Sequence, residues 1–352
     1  MADDIIDIDC SHVFLFISCN LSMSTLPDDL AEQVKQVATP LFAFMLAFMV
    51  IGVLGNSLVV YIICRKPNMM TAHNFHVANL AVIDLIFIIV CAVVDEVGIG
   101  LIAFQARILI LSSQASAGIM FAQGITFTAT CGTMMCLAGE RYRAIVKPLD
   151  TKKQRTIKNA VIQQCVVWAV SFVVGIVVAL LESQPSSHTL AEGFLLYEVA
   201  FFYICLIVFM FVCYAAILRS VHEHEIVEGD RVARWQLRRN MQMLRMVSVL
   251  VFTFLICRGL WLGYGFYVNH ARPPSRIVHM IVQISARFVC LLDSALNPFI
   301  YAIFMPDFKR HIRQLALHPF STVKPRRRGT MDSCTRHDTV TLQTSADLSN
   351  HH

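Results

Sequence analysis

Residues 39–64 read TPLFAFMLAFMVIGVLGNSLVVYIIC, a run of 26 residues that contains no Asp, Glu, Lys or Arg. A helix crosses the hydrocarbon core of a bilayer with about 20 mostly apolar residues, so this run predicts a membrane-spanning helix. Six further apolar runs follow it, at about 74–97, 115–140, 160–181, 194–218, 244–268 and 277–303. The sequence therefore predicts an all-α membrane protein, a bundle of seven transmembrane helices.

The composition excludes several classes of protein. Of the 352 residues, 56% are apolar and 15% charged, against about 45–50% and about 25% in a soluble domain, which excludes an ordinary cytosolic enzyme. The Lys and Arg behind the net charge of +5 do not form one basic face, so no nucleic-acid partner is expected. Most of the 12 Cys lie within apolar runs, and no pair has zinc spacing, so no metal site is expected. Membrane lipids are the expected surroundings.

Positive charge is distributed unevenly between the connecting segments. With the N-terminus outside the cell, 23 of the 29 Lys and Arg fall in cytoplasmic segments, as the positive-inside rule requires. Asn20-Leu21-Ser22 is then an N-glycosylation sequon on the outer side. We predict a multi-pass plasma-membrane protein with an extracellular N-terminus and a cytoplasmic C-terminus.

Polar side chains within spans are costly in lipid and are therefore candidates for function. One group lies towards the cytoplasmic half: Asn56, Asn79, Asp84, Thr130, Asp293, Ser294 and Asn297. Centred on Asp84, this group would form a small oxygen-lined site for Na⁺ or water. Alternatively, it is a hydrogen-bond cluster that holds the helices together. Both interpretations stay open.

A second polar group lies nearer the outside: Asp95, Glu96, Gln123, Glu198, Arg258 and Arg287. A buried arginine without a counter-charge is too costly to expect. Either the three carboxylates or an anionic ligand must therefore satisfy Arg258 and Arg287. These two alternatives also stay open.

Short motifs fall on the predicted spans in a fixed order. They are Gly55-Asn56, Leu80-Ala81-Val82-Ile83-Asp84, Glu140-Arg141-Tyr142, Trp168, Tyr214 and Asn297-Pro298-Phe299-Ile300-Tyr301. With them the chain resembles the rhodopsin-like (class A) G-protein-coupled receptors over about residues 38–318. The resemblance also implies a short amphipathic eighth helix that includes Phe308-Lys309-Arg310.

The resemblance implies that Arg141 is restrained in the inactive receptor and engages a heterotrimeric G protein in the active one. The switch residues it implies are Glu140, Arg141, Tyr142, Tyr214, Asn297, Pro298 and Tyr301. The polar network, with the candidate Na⁺ position, would comprise Asn56, Asp84, Thr130, Ser294 and Asn297. No resident cofactor is implied.

Four parts of the chain follow from the spans and the resemblance. Residues 1–37 are the predicted extracellular segment, and 38–304 the seven-helix receptor domain. Residues 305–318 are the predicted amphipathic helix, and 319–352 a polar tail predicted to be disordered in the cytoplasm.

The chain departs from the family pattern at several positions. The outer cysteine of the third span is Ser116, and residues 182–194 contain no Cys, so the usual disulfide cannot form. Cys10 and Cys19 could instead pair locally. The usual prolines of the fifth and sixth spans are Leu206 and Leu260. The aromatic switch position of the sixth span is Arg258, followed by Gly259, which is expected to keep that turn flexible.

The acid that often restrains the family's arginine from the sixth span is also missing, since that position is Asn240. We therefore expect raised activity without ligand.

Under the resemblance, single positions make two ligand classes, biogenic amines and covalently bound retinal, unexpected. Amine receptors carry an aspartate where this chain has Gln123, and opsins tether retinal to a lysine where it has Leu291. The predicted ligand pocket comprises Asp95, Glu96, Gln123, Glu198, Tyr203, Arg258, Trp261 and Arg287. Such a mixed lining favours a peptide with charged ends or a small carboxylate-bearing molecule.

The sequence leaves three alternatives to a ligand-activated receptor. An orphan receptor whose pocket is satisfied by its own charges would signal without a diffusible ligand. A transporter would use the same intramembrane charges as a substrate path. An intramembrane enzyme would need a paired catalytic constellation, which the sequence does not place convincingly, so no enzyme is expected.

Overall fold

A computed structural model describes residues 28–66, 69–94, 97, 113–146, 156–183, 188–224, 231–270 and 276–317 of the chain. Within these residues, eight α-helices and one π-helical turn, Phe87–Ala92, account for nearly all the structure. The helices are α1 Asp28–Arg65, α2 Ala72–Ile86, α3 Ser113–Val146, α4 Ile157–Glu182, α5 His188–His224, α6 Arg231–His270, α7 Arg276–Phe304 and α8 Pro306–Leu317.

Seven segments among the described residues are long and apolar enough to cross a membrane. They are Ala38–Arg65, Ala72–Ala92, Gln114–Val146, Ile157–Glu182, Gly193–Ser220, Arg238–Tyr267 and Ser285–Phe304. This arrangement confirms the predicted all-α seven-helix bundle. One boundary differs clearly, because α3 continues to Val146, past the Glu140-Arg141-Tyr142 motif at which the third span was predicted to end.

Local capping explains where two of the helices begin. The side chain of Thr71 accepts a hydrogen bond from the Asn74 backbone N–H at 3.2 Å and caps α2. Thr156 caps α4 in the same way, through the Asn159 N–H at 3.3 Å. Each hydroxyl satisfies a first-turn donor that has no partner inside its helix.

Helix α3 is the centre of the bundle. In the most apolar 18-residue stretch of α3, 72% of the residues are buried inside the protein. The corresponding share is 22% for α4 and for α5. It packs against α2, α4, α5 and α6, while α1 packs against α2 and α7. Exposed Phe172 on α4 and Phe211 on α5 show that those helices turn apolar faces outward, as lipid contact requires.

The second span contains a π-helical turn that the sequence did not predict. It runs from Phe87 to Ala92, and its side chains Phe87, Ile88, Cys91 and Ala92 are buried. An extra residue in a helical turn shifts the side chains beyond it around the helix axis. The turn brings Phe87 and Ala92 to the wall of the cavity described below.

A hydrogen bond joins the start of α3 to the end of α4, at Ser116, where the disulfide cysteine was predicted to be replaced. The hydroxyl of Ser116 donates to Glu182 Oε1 at 2.6 Å. The Glu182 side chain is buried. This contact connects α3 directly to the last residue of α4, without a covalent bond.

We expect Ser116→Ala to destabilise the protein by about 1–2 kcal/mol, because it removes a hydrogen bond to a carboxylate. The loss corresponds to a fall in Tm of about 2–5 °C, measurable on detergent-solubilised full-length protein. Ser183→Ala is the matched control, since the hydroxyl of exposed Ser183 donates to the Leu180 carbonyl of the adjoining helix α4. Equal Tm values for the two variants would contradict a stabilising role for the Ser116–Glu182 bond.

Candidate functional site

Six of the seven spans surround a partly open cavity with an empty volume of about 570 Å³, counting the space at its mouth. Its lining comprises Met45, Phe87, Ala92, Gln123, Thr126, Phe127, Leu195, Val199, Arg258, Trp261, Arg287 and Cys290. Most of these side chains are apolar. Two of the described lining residues, Arg258 and Arg287, are charged. A mostly apolar hollow with a few polar groups is the usual form of a ligand site.

Four of the predicted pocket residues line this cavity, namely Gln123, Arg258, Trp261 and Arg287. Asp95 and Glu96 lie outside the described residues. Two further predicted members, Glu198 and Tyr203, are not among the described lining residues. Buried Glu198 accepts a hydrogen bond from Thr128 on α3 at 2.6 Å, and Tyr203 donates to the Leu255 carbonyl on α6 at 2.6 Å. Both are committed to helix–helix contacts and are absent from the lining.

Gly259, which was predicted to keep its turn flexible, allows close packing in this structure. A Cβ built at this position would lie 2.5 Å from the Tyr203 hydroxyl oxygen. The small residue leaves room for the Tyr203 bond to Leu255, so its role in this structure is spatial.

Arg258 links the two polar groups that the sequence placed at different depths. Its Nε lies 3.8 Å from Asp293 Oδ2 on α7, and both side chains are largely buried. Its guanidinium carbon also lies 4.3 Å from the centre of the Phe87 ring, within the range of a cation–π contact. One arginine therefore contacts α7 and the second span while it lines the cavity.

Two hydrogen bonds link members of the predicted polar network. Asn297 donates from Nδ2 to Asp84 Oδ2 at 2.8 Å, and Asn56 donates to the Ser294 carbonyl at 3.0 Å. These bonds join α1, α2 and α7. The hydroxyl of Thr130, another predicted member, donates to the Thr126 carbonyl one turn earlier in α3.

The same network offers hard oxygen donors for an ion or a water molecule. Within the described part of the chain, the buried amide oxygens of Asn56 and Asn297 have no hydrogen-bond partner. Together with the Asp84 carboxylate they are the donor type that suits Na⁺ or water. Both of the sequence's interpretations, an ion site and a hydrogen-bond cluster, therefore remain compatible with these residues.

The opposite end of the bundle holds the second candidate site. Arg141 lies 18 residues after Gln123 on α3, which is about 27 Å along a helix axis. Arg141 Nη2 lies 3.5 Å from Glu140 Oε2, and both side chains are only 3–4% exposed. Nearby, Tyr214 donates to the Leu244 carbonyl at 3.3 Å, joining α5 to α6. Tyr301 is fully buried.

Polar contacts tie this end of α6 to its neighbours. Asn240 Nδ2 lies 3.5 Å from the Ala144 carbonyl of α3. Gln242 donates to the Phe304 carbonyl of α7 at 3.1 Å, and Arg239 lies 3.5 Å from Asp307 of α8. The Arg239 pair is half-exposed and therefore weak. These contacts hold α6 near α3, α7 and α8 in this conformation.

A buried polar chain across α2, α4 and α3 was not singled out from the sequence. His76 Nδ1 lies 3.1 Å from Gln164 Oε1, and Gln164 Nε2 donates to Thr133 Oγ1 at 2.8 Å. The signal was available, since all three are polar residues within apolar spans. Nearby, Trp168 Nε1 lies 3.4 Å from its acceptor, Asn79 Oδ1.

Comparison with known proteins identifies the bundle. The profile described as "7 transmembrane receptor (rhodopsin family)" matches residues 55–301, which is more than half of the chain. The chain belongs to the rhodopsin family of seven-transmembrane receptors. Membership of this family confirms the resemblance drawn from the motifs and makes the protein a multi-pass membrane receptor.

Curated relatives of this rhodopsin-family receptor match most of its length. The KiSS-1 receptor of Rattus norvegicus is 27% identical over 318 residues, covering 83% of this chain and 78% of the relative. The allatostatin-A receptor of Bombyx mori is 25% identical over 359 residues, covering 92% and 94%. The somatostatin receptor type 2 of Mus musculus is 26% identical over 290 residues, covering 76% and 74%.

Proposed function

We propose that this receptor lies in the plasma membrane with its N-terminus outside and its C-terminus in the cytoplasm, and that it activates heterotrimeric G proteins when an extracellular ligand binds. The observation that carries the proposal is Arg141, a buried arginine at the end of the bundle opposite the cavity. The switch residues are Glu140, Arg141, Tyr142, Tyr214, Asn297, Pro298 and Tyr301.

The mechanism follows from the cost of burying Arg141. Burial of a guanidinium carries a desolvation cost, so a second environment with more acceptors competes with the first. Movement of α6 away from α3 would open such an environment at the inner end of the bundle. Ligand binding at the cavity then shifts the equilibrium between two helix arrangements, and the G protein binds one of them.

The proposed ligand is a peptide with a charged end or a small molecule that carries a carboxylate. Gln123, Arg258, Trp261 and Arg287 are its contacts in the described cavity, with Asp95 and Glu96 as further candidates. The relatives support a diffusible ligand, since each is named as the receptor for one. A constitutively active receptor without a diffusible ligand is the second candidate, and Asn240 at the position of the usual restraining acid favours it.

Nucleotide exchange tests the proposal directly. Full-length receptor in lipid nanodiscs is mixed with purified heterotrimers of each Gα class, and binding of a non-hydrolysable GTP analogue is recorded against empty nanodiscs. We expect the receptor to accelerate exchange on at least one class without added ligand. Exchange at the rate of empty nanodiscs for every class, with natively folded receptor, would refute ligand-free activity and restrict the proposal to ligand-dependent activation.

We expect Asn240→Glu to lower ligand-free exchange about two- to fivefold at equal receptor concentration. The substitution places a carboxylate at the inner end of α6, next to α3, where it favours the arrangement with α6 held in. Such a shift is the effect of about 0.4–1 kcal/mol on a two-state equilibrium. Asn240→Gln is the control, because it keeps the amide and adds only length. Equal rates for the Glu and Gln variants would count against the missing acid as the cause of basal activity.

A further inference from the structure

An ion pair between two spans adjoins the cavity, because its arginine, Arg258, lines the cavity wall. Arg258 belongs to α6 and Asp293 to α7, and their side chains are 13% and 3% exposed, with Nε and Oδ2 3.8 Å apart. At this separation the pair is an electrostatic contact without a short hydrogen bond. Asp293 Oδ1 accepts no hydrogen bond within the described part of the chain. The attraction therefore joins α6 to α7 while leaving both partners incompletely satisfied.

The same arginine faces the place where a ligand would bind. Arg258 lines the cavity with Arg287, and no acidic side chain is among the described lining residues. Glu198, the carboxylate nearest in sequence to the lining residues of α5, bonds to Thr128 instead. Arg258 is therefore the charged group of α6 that an anion in the cavity would meet.

Arg258 thus has two competing partners, one internal and one external. A carboxylate in the cavity would offer its guanidinium two oxygens in the planar geometry that arginine binds best. Asp293 has its Oδ2 at 3.8 Å from Nε. This is a weaker contact than two oxygens in that planar geometry. An external anion can therefore compete with the internal one.

We propose that an anionic group bound in the cavity takes Arg258 from Asp293 and thereby releases α6 from α7. This inference rests on the proposed function for its signalling consequence, and it deepens that function by naming the internal contact on which the ligand acts. Arg258 is the anion contact, and Asp293 is the internal competitor that keeps the resting arrangement. Arg258 lies 18 residues after Asn240 on α6. Release of α6 at Arg258 therefore frees a helix that contacts α3 at Asn240.

The experiment measures anion binding without a G protein. Full-length receptor in nanodiscs is heated with increasing butyrate, and with butyramide as the neutral molecule of the same shape. We expect saturating butyrate to raise Tm by about 2 °C, as mass action requires of a bound ligand, and butyramide to have no effect. Arg258→Gln should abolish the shift. Arg245→Gln, an exposed arginine of the same helix outside the cavity, should retain it.

The competition itself is tested by removing Asp293. Since the internal anion opposes the external one, Asp293→Asn should lower the butyrate concentration for half-maximal Tm shift by about tenfold. A pair with only a structural role would leave this concentration unchanged or raise it. The proposal is overturned if butyramide acts like butyrate, if butyrate shifts neither the wild type nor Asp293→Asn, or if Asp293→Asn does not bind it more tightly.

Folding and signalling are kept separate in this design. If Asp293→Asn does not fold, the butyrate shift of the wild type and its loss in Arg258→Gln decide the proposal. Failure of G-protein coupling would appear in nucleotide exchange and leave these Tm shifts unaltered. Where coupling is present, Asp293→Asn should also raise ligand-free exchange several-fold above wild type.

Discussion

A receptor with Arg141→Ala is expected to reach the cell surface and to lose about nine tenths or more of its G-protein activation. Contacts to a charged group are each worth about 1.5–3 kcal/mol, so loss of one in the active complex lowers activation about ten- to hundredfold. The measurement is ligand-free activation in cells by a G-protein dissociation sensor, at matched surface levels.

The controls separate coupling from folding. Arg65→Ala removes an exposed arginine at the end of α1 and should leave activation unchanged. Removal of Arg141 alone leaves the Glu140 carboxylate buried without its 3.5 Å partner. If Arg141→Ala is therefore retained inside the cell, Glu140→Gln combined with Arg141→Ala removes both charges and is measured in its place. Wild-type activation by the surface-expressed variant would refute the assigned role of Arg141.

The second large effect is expected in folding, from Gly175→Val on α4. A Cβ at Gly175 would lie 2.6 Å from Ile125 Cγ1 and 3.0 Å from both Phe121 Cδ2 and the Phe121 carbonyl oxygen. The backbone oxygen belongs to α3 and cannot move without moving the central helix. Small residues permit such close approach between membrane helices, and overpacking costs about 1–3 kcal/mol or more. We expect surface receptor to fall by about tenfold.

The matched control for this variant is Gly118→Val on α3. A Cβ at Gly118 meets nothing within 4 Å, so the same substitution adds volume where space is open. We expect its surface level to stay within about twofold of wild type, as read by antibody against an N-terminal tag on intact cells. Equal levels for the two variants would contradict the close packing of α3 on α4 at Gly175.

The seven spans could be predicted from the sequence because the bilayer imposes a length and a composition on every crossing segment. The run at 39–64 needs no partner to be recognised as a span, and the structure places Ala38–Arg65 there. The bond between Asn297 and Asp84 agrees with the predicted polar network. Polar side chains in lipid must find hydrogen-bond partners, and the apolar spans offer few polar side chains that could serve.

The hydrogen-bond partners of other polar side chains could not be predicted, because the sequence offers each of them several possible acceptors or donors. Thr130 bonds to the carbonyl one turn earlier in its own helix, a local acceptor that always competes with a distant one. Glu198 lies on α5 between Leu195 and Val199, which both line the cavity, yet it bonds to Thr128. Small rotations of a helix decide between such outcomes, and these rotations depend on the packing of all its neighbours.

The local sequence alone determined the seven spans, the family motifs and the residues that are too polar for lipid. Tertiary structure decided which of those residues meet. It brought Arg258 to Asp293, assigned to a different depth by the sequence, and left a cavity whose described charged residues are both arginines. The physical reason is that a span is a property of one segment in lipid, whereas an ion pair depends on the rotation, tilt and spacing of two helices.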